Sequence, residues 1–230
     1  MPRPATELPA GTQWRIKRSV KTAALRKVLV LANPRSGMHW SFLSMRRAMD
    51  RFWDVPGIDL AYKFCRDAAD GRAKAERAVE DGVDTILVVG GDGTLNSVGR
   101  ELIGTGVTLG IIPAGSGNGF ARHFGIPLAP EKAVEALAAA DVRTIDVGVA
   151  DGNAFFVTCS MAWDASIVRS FERWPFRGIL PYVFAGMQEL WDYEPQDMEV
   201  ETEDGTRREF HDPMVFTIAN LTQYGGGAVI

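Results

Sequence analysis

An apolar run that ends in glycines, ILVVGGDGTLN over Ile86–Asn96, constrains this chain more than any other feature. Its first four residues are apolar and mostly β-branched, which predicts a short buried strand. Three glycines and Asp92 follow, and Thr94 is the predicted cap of a helix with apolar residues at helical spacing. Such a strand–loop–helix unit offers backbone N–H groups to an anion, because glycines place no side chain in the way.

Asp92 is the charged residue of this loop. A carboxylate beside a phosphate is repelled unless a cation lies between them, so Asp92 predicts a bound Mg²⁺. A tight strand-to-helix turn with a capping aspartate explains the same residues without any ligand. The choice between these interpretations depends on whether other loops repeat the design.

Two further strands are predicted to end in loops of the same kind. Residues 27–32 (KVLVLA) lead into Asn33–Gly37 (NPRSG), and residues 107–112 (VTLGII) lead into Pro113–Gly119 (PAGSGNG), where Pro113 is expected to break the strand. Another strand is predicted at Ile58–Phe64, and helices are predicted at 40–53, 68–81 and 130–140. Alternating strands and helices form a parallel sheet with right-handed crossovers, so the loops should meet beyond the carboxyl ends of the strands. The prediction is a Rossmann-like α/β domain over residues 25–142 with a nucleotide-phosphate site at one sheet edge.

The pattern changes near residue 143. Apolar runs flank Asp151-Gly152, which is a strong hairpin signal, and Asp204-Gly205 gives another. We therefore predict a second, mainly antiparallel domain over residues 143–230. An aromatic segment within it, residues 165–191, predicts either core packing between the domains or an apolar surface that contacts an acyl chain or a membrane.

The bulk composition excludes some functions. A formal net charge of −4 gives no reason to expect a nucleic-acid partner. No apolar run approaches the roughly 20 residues of a membrane span, and an apolar signal core is missing from the N-terminus. The two cysteines lack the spacing of metal ligands. So few cysteines form no disulfide framework, which favours a reducing compartment such as the cytoplasm. Residues 1–24, proline-rich and then basic, predict either a disordered tail or a basic arm for an anionic membrane.

The combined motifs resemble those of the diacylglycerol kinase catalytic domain family, which includes sphingosine and ceramide kinases and bacterial lipid kinases. NPRSG resembles the family's first loop, GGDGT its nucleotide motif and PAGSGN its second phosphate loop. Similar matches in the second domain are Val147-Gly148, Trp163–Ala165, Arg177-Gly178 with Tyr182, and Asn220 with Gly225–Gly227. GGDGT alone is shared with NAD kinases and phosphofructokinases, so the other two loops make the resemblance specific. It covers about residues 27–230.

The resemblance implies an ATP- and Mg²⁺-dependent kinase that phosphorylates the hydroxyl of a diacylglycerol- or sphingoid-like lipid. Such an enzyme would be cytoplasmic and peripheral at the membrane, with the nucleotide in the cleft between the α/β domain and a β-sandwich. Residues 143–230 would be that β-sandwich, the lipid-substrate domain, in incomplete form. Asp92 would be catalytic and would hold the metal, and Asp164 would contact the lipid head group unless it pairs with Arg169 or Arg173. The residues implied to bind ATP are Asn33, Cys65, Gly90, Gly91, Asp92, Gly93, Thr94, Leu95, Asn96, Gly115, Ser116, Gly117 and Asn118.

Three positions depart from the family pattern. Gly119 stands where many members have an aspartate, and Cys65 stands where a hydroxyl residue is frequent. The sequence stops at Ile230, before the stretch in which the family carries a further catalytic carboxylate, so we expect a fragment of a longer protein. We identify no general base, and no Gly-Lys-Ser/Thr of a Walker P-loop follows the glycine loops. A non-catalytic nucleotide- or lipid-binding remnant and a soluble-metabolite kinase of the NAD kinase type remain the alternatives.

Overall fold

The computed structural model describes residues 25–36, 42–162, 196–225 and 228–229. The predictions for the tail at 1–24, for the aromatic segment at 165–191 and for Asp164 fall outside these ranges. Within them, no helix is both long enough and apolar enough to cross a membrane.

Strands and helices alternate through the first part of the chain, as predicted. They are β1 (Arg26–Ala32), α1 (Phe42–Phe52), β2 (Ile58–Phe64), α2 (Ala68–Glu80), β3 (Thr85–Gly90), α3 (Asp92–Arg100), β4 (Thr108–Pro113), α4 (Gly119–His123) and α5 (Pro130–Ala138). The sheet order is β2-β1-β3-β4, and every neighbouring pair is parallel. This confirms the predicted α/β fold.

Pro113 was predicted to break the fourth strand, and this is wrong by one residue. Pro113 is the last residue of β4 and pairs with Gly90 of β3. A proline is tolerated there because β4 is an edge strand and the Gly90 carbonyl of β3 accepts its bond from the N–H of Ala114 instead.

The two central strands account for the apolar sequence runs. All six residues of β3 are buried, and so are the last five of β1, because helices cover both faces of the sheet. Ile86 and Val88 belong to the core layer shared with α2 and α3, whereas Leu87 and Val89 belong to the layer shared with α1 and α5. The edge strand β2 has no buried residue in its span.

Antiparallel pairs make up the described part of the second half, as predicted. They are built from β5 (Gly148–Ala150), β6 (Asn153–Phe155), β7 (Thr158–Ala162), β8 (Met198–Glu201), β9 (Arg207–Phe210), β10 (Val215–Ala219), β11 (Gln223–Gly225) and β12 (Ala228–Val229). The pairs are β5–β6, β7–β10, β8–β9 and β11–β12. Asp151 and Gly152 both have positive φ, 46° and 71°, as a two-residue hairpin turn requires.

The second half packs directly on the α/β part. Phe156 and Leu221 are buried in the same core layer as α2 and α3. The Asn220 amide donates to the carbonyls of Asp146 and Phe156, both at 3.0 Å, and so holds residues 146, 156 and 220 together. The predicted domain boundary near residue 143 stays a prediction.

Gly99 of α3 makes room for the Phe156 ring, and this generates a stability test. A Cβ added at Gly99 would stand 2.6 Å from the end of that ring. We expect Gly99→Ala to lower the free energy of unfolding by about 1–3 kcal/mol through overpacking. Urea denaturation followed by circular dichroism measures the change.

Gly93, on the same helix, provides the matched control. An added Cβ there would meet no described atom within 4 Å. Gly93→Ala should leave stability unchanged or raise it by up to about 1 kcal/mol, because alanine is the better helix former. Equal losses in the two variants would show that the Phe156 contact is not what makes Gly99 necessary.

Candidate active site at the carboxyl edge of the sheet

The loops after β3 and β4 touch through glycine backbones. A Cβ added to Gly115 would lie 2.5 Å from the Gly91 Cα, and one added to Gly91 would lie 3.0 Å from the Gly115 Cα. Real Cβ atoms essentially never come as close as 2.5 Å, so glycine is required at position 115, and a side chain at position 91 would force the Gly115 backbone to shift. The contact brings the GGDGT loop after β3 and the PAGSGN loop after β4 together at the carboxyl edge of the sheet.

Thr94 connects the loop after β1, which contains Asn33 and Ser36, to these two loops. The Asn33 side-chain amide donates to Thr94 Oγ1 at 3.0 Å, and Ser36 Oγ lies 3.4 Å from the same oxygen. The Thr94 side chain also lies over Gly90, where an added Cβ would stand 2.7 Å from Thr94 Cβ. All three predicted loops therefore meet at this edge.

The prediction that Thr94 caps the helix is wrong. Helix α3 begins at Asp92, and its N-cap is Gly91, whose backbone is extended with φ −99°. The helix starts earlier because the chain turns directly out of β3, which places Thr94 within the first turn. Its hydroxyl accepts a hydrogen bond from Asn33 in the loop after β1 and does not cap the helix.

The carboxylate of Asp92 is held by the start of α4. Oδ2 accepts the Gly119 N–H at 2.9 Å, and Oδ1 accepts the Phe120 N–H at 3.0 Å. These two bonds tie α3 to the loop after β4. Each carboxylate oxygen can accept a further bond, so these contacts leave room for a cation.

A magnesium ion at Asp92 would take most of its ligands from outside the protein. Among the described residues, no cluster of three or more His, Cys, Asp or Glu side chains surrounds a common point. Magnesium is commonly bound through one or two carboxylates together with substrate phosphates and waters. Asp92 fits that pattern, and its assignment to the metal stays a prediction.

The N-terminus of α3 is open to a ligand. No described side chain caps Gly91, and the first intrahelical bond runs from the Leu95 N–H to the Gly91 carbonyl. The N–H groups of residues 92–94 therefore have no partner within the helix. Gly93 adds no bulk in front of them, and it is exposed. A helix end of this kind binds phosphate through its N–H groups and its dipole.

Asn118 shapes the loop after β4. Its side chain accepts the Gly115 N–H at 3.0 Å and donates to the Gly115 carbonyl at 2.8 Å. Its φ of 52° is left-handed, a conformation that asparagine tolerates. Ser116 is exposed, and Arg122 donates to the Gly117 carbonyl at 3.0 Å. Both polar atoms of the Asn118 side chain thus bond to Gly115, and the loop leaves Ser116 facing solvent.

Two predicted site residues lie in the core instead. Leu95 is fully buried, and Cys65 is buried beside the positions of Gly71 and Val98. Burial also raises the pKa of the Cys65 thiol. Neither side chain reaches the surface, and the prediction that Cys65 and Leu95 bind ATP stays a prediction. The Asn96 side-chain oxygen is buried too, and no described atom donates to it.

Sequence reasoning missed two sets of contacts, one at the turn from β2 into α2 and one at the end of α4. Lys74 donates to the Phe64 carbonyl at 2.6 Å and to Asp70, and together with the Arg66 N–H it lowers the pKa of Asp70 to about 2. His123, at the end of α4, contacts Thr222 across 99 positions of sequence. Asp70 and Lys74 are four residues apart on a predicted helix, and this spacing is typical of an ion pair. Nothing in the sequence pairs His123 with Thr222.

Comparisons with known proteins identify the family of this chain. The model of the diacylglycerol kinase catalytic domain matches residues 27–150. This chain belongs to that family. Diacylglycerol kinase from two strains of Mycobacterium tuberculosis is 34% identical over 212 residues, which cover 89% of this chain and 68% of that protein. A probable lipid kinase YegS-like of Chromohalobacter salexigens is 31% identical over 80% of this chain and 60% of its own length.

Solved structures show the same fold. A crystal structure of a diacylglycerol kinase from Bacillus anthracis superposes with a TM-score of 0.66 at 23% identity, covering 89% of this chain and 67% of that one. Membership of the diacylglycerol kinase catalytic domain family confirms the resemblance stated from the three loops. It also places all three loops inside the matched residues 27–150.

Asp92 generates the prediction for this site. Replacing it with asparagine leaves one acceptor for two backbone donors, so we expect Asp92→Asn to cost about 1–3 kcal/mol of unfolding free energy. The amides of Gly119 and Phe120 should exchange with solvent faster than in the wild type. Urea denaturation and amide hydrogen exchange measure both effects.

The exposed Asp141 is a suitable control for the change of charge. Asp141→Asn should leave stability and exchange as in the wild type. Unchanged exchange at residues 119 and 120 in Asp92→Asn would contradict the role of Asp92 at the start of α4.

Proposed function

We propose that this chain is part of an ATP- and Mg²⁺-dependent lipid kinase that phosphorylates a hydroxyl of a diacylglycerol- or sphingoid-like lipid. The observation that carries the proposal is the open N-terminus of α3 at an edge where three glycine-containing loops meet. Membership of the diacylglycerol kinase catalytic domain family supports the lipid as acceptor. The names of the relatives, diacylglycerol kinase and probable lipid kinase, agree with it.

Phosphoryl transfer depends mainly on positioning and charge neutralisation. The N–H groups of residues 92–94 would hold phosphate oxygens, with Asn33 on one side and the loop of Gly115–Asn118 on the other. Asp92 would hold Mg²⁺ together with those phosphates. The ion would neutralise charge on the transferred group.

The acceptor side is proposed from the second domain. Asp164 would contact the lipid head group, and the enzyme would work peripherally at the membrane surface from the cytoplasm. Deprotonation of the lipid hydroxyl by a general base contributes typically about 10²–10⁴-fold. We assign no described residue to that role.

Substitutions at Gly93 test the phosphate site without disturbing the fold. Because a Cβ there meets no described atom within 4 Å and Gly93 is exposed, we expect the fold to accept larger residues, which would stand in front of the helix N-terminus. We expect the Kd for Mg·ADP to rise stepwise from wild type through Gly93→Ala to Gly93→Leu, by about tenfold or more for leucine, or ~1.4 kcal/mol. Isothermal titration calorimetry measures the affinity.

A leucine added elsewhere on the surface controls for general effects. Ala138, exposed at the end of α5, serves for this purpose. Ala138→Leu should bind Mg·ADP as the wild type does. Equal affinity in all four proteins would remove the end of α3 from the nucleotide site.

Transfer of labelled γ-phosphate from Mg·ATP tests the reaction itself. The acceptors are diacylglycerol, ceramide and a sphingoid base in mixed micelles, with NAD as the soluble alternative. We expect a labelled lipid with wild type and far less with Gly93→Leu, which retains the fold. Label in NAD alone would favour a soluble-metabolite kinase, and Mg·ADP binding without transfer to any acceptor would favour a non-catalytic remnant.

A further inference from the structure

His123 joins the end of α4 to the residue before β11. Its Nδ1 lies 2.9 Å from Thr222 Oγ1 and 3.4 Å from the Thr222 backbone nitrogen, whose N–H donates to it. A neutral imidazole with its proton on Nε2 accepts both bonds at Nδ1. The ring also packs edge-on against Phe124, with the ring centres 4.7 Å apart. These contacts fix the direction in which the His123 ring points.

The opposite end of α4 is attached to the nucleotide side of the site. The Asp92 carboxylate accepts the N–H groups of Gly119 and Phe120. A Cβ added at Gly119 would lie 3.2 Å from Val157 and 3.5 Å from the Gln223 Cβ, so α4 also lies close against the second half of the chain. One short helix therefore connects the first residue of α3 with the start of β11.

We propose that His123 is a positioning residue that fixes the start of β11 relative to the N-terminus of α3. Its catalytic consequence rests on the proposed function, in which α3 holds the phosphates and the second domain holds the lipid. A shift of about 1 Å between donor and acceptor can cost about 10²-fold in rate. Loss of the His123 contact should then impair the use of lipid more than the binding of nucleotide.

Amide hydrogen exchange of residues 220–225 tests the contact directly. In His123→Ala we expect these amides to exchange about five- to tenfold faster, as the loss of one net hydrogen bond predicts. His123→Asn should restore slow exchange, because the asparagine oxygen can accept the same two bonds. Unchanged exchange in the alanine variant, or failure of asparagine to restore it, would overturn the proposal.

Two controls separate this effect from general loosening. Exchange across β1, in the sheet core, should be the same in every variant. His211, which pairs with Asp197 beside the β8–β9 hairpin, provides a second histidine for comparison. His211→Ala should leave residues 220–225 as in the wild type, and faster exchange there would show that the effect is not specific to His123.

Kinetics test the consequence for catalysis. His123→Ala should raise KM for the lipid and lower kcat, with the Kd for Mg·ADP unchanged, and His123→Asn should reverse both changes. Wild-type kcat and lipid KM in the alanine variant would overturn the catalytic part of the proposal. A wild-type protein that phosphorylates no lipid would overturn the proposed function alone, since the exchange experiment still decides the role of His123.

Discussion

The backbone contact between Gly91 and Gly115 is the constraint on which the site depends. Neighbouring strands lie about 4.8 Å apart, and the loops that leave β3 and β4 come into direct backbone contact at these two glycines. An added Cβ on either glycine would meet the other's Cα at 3.0 Å or less. With the two loops in contact, the start of α3 is set directly beside the turn that leads into α4.

The side chains around this contact are used mainly to hold the loops together. Asp92 binds the start of α4, Thr94 receives Asn33, and Asn118 closes its own loop onto Gly115. What is left facing outward is largely backbone, above all the first turn of α3. This division suits the proposed recognition of phosphate through backbone N–H groups, since each side chain named here already has a partner inside the protein.

Short-range patterns explain why the elements could be predicted from the sequence. The strands at 26–32, 58–64 and 85–90 are continuous apolar runs or alternating ones, and Asp151-Gly152 marks its hairpin by local turn chemistry. The convergence of the loops followed from the rule that parallel strands end on one edge. The contacts of individual side chains could not be predicted in this way, because the bonds of Asp92 and the burial of Cys65 depend on residues far away in sequence.

Gly119 shows how one such long-range contact changes the electrostatics. An aspartate here, where many family members have one, would start 3.7 Å from the Asp92 carboxylate and 3.2 Å from Val157. Two carboxylates so close repel each other and raise the demand for a cation between them. With glycine, the position contributes only an N–H to Asp92. The single carboxylate is then stabilised by the protein backbone itself, and any magnesium ion must rely more heavily on the phosphates it accompanies.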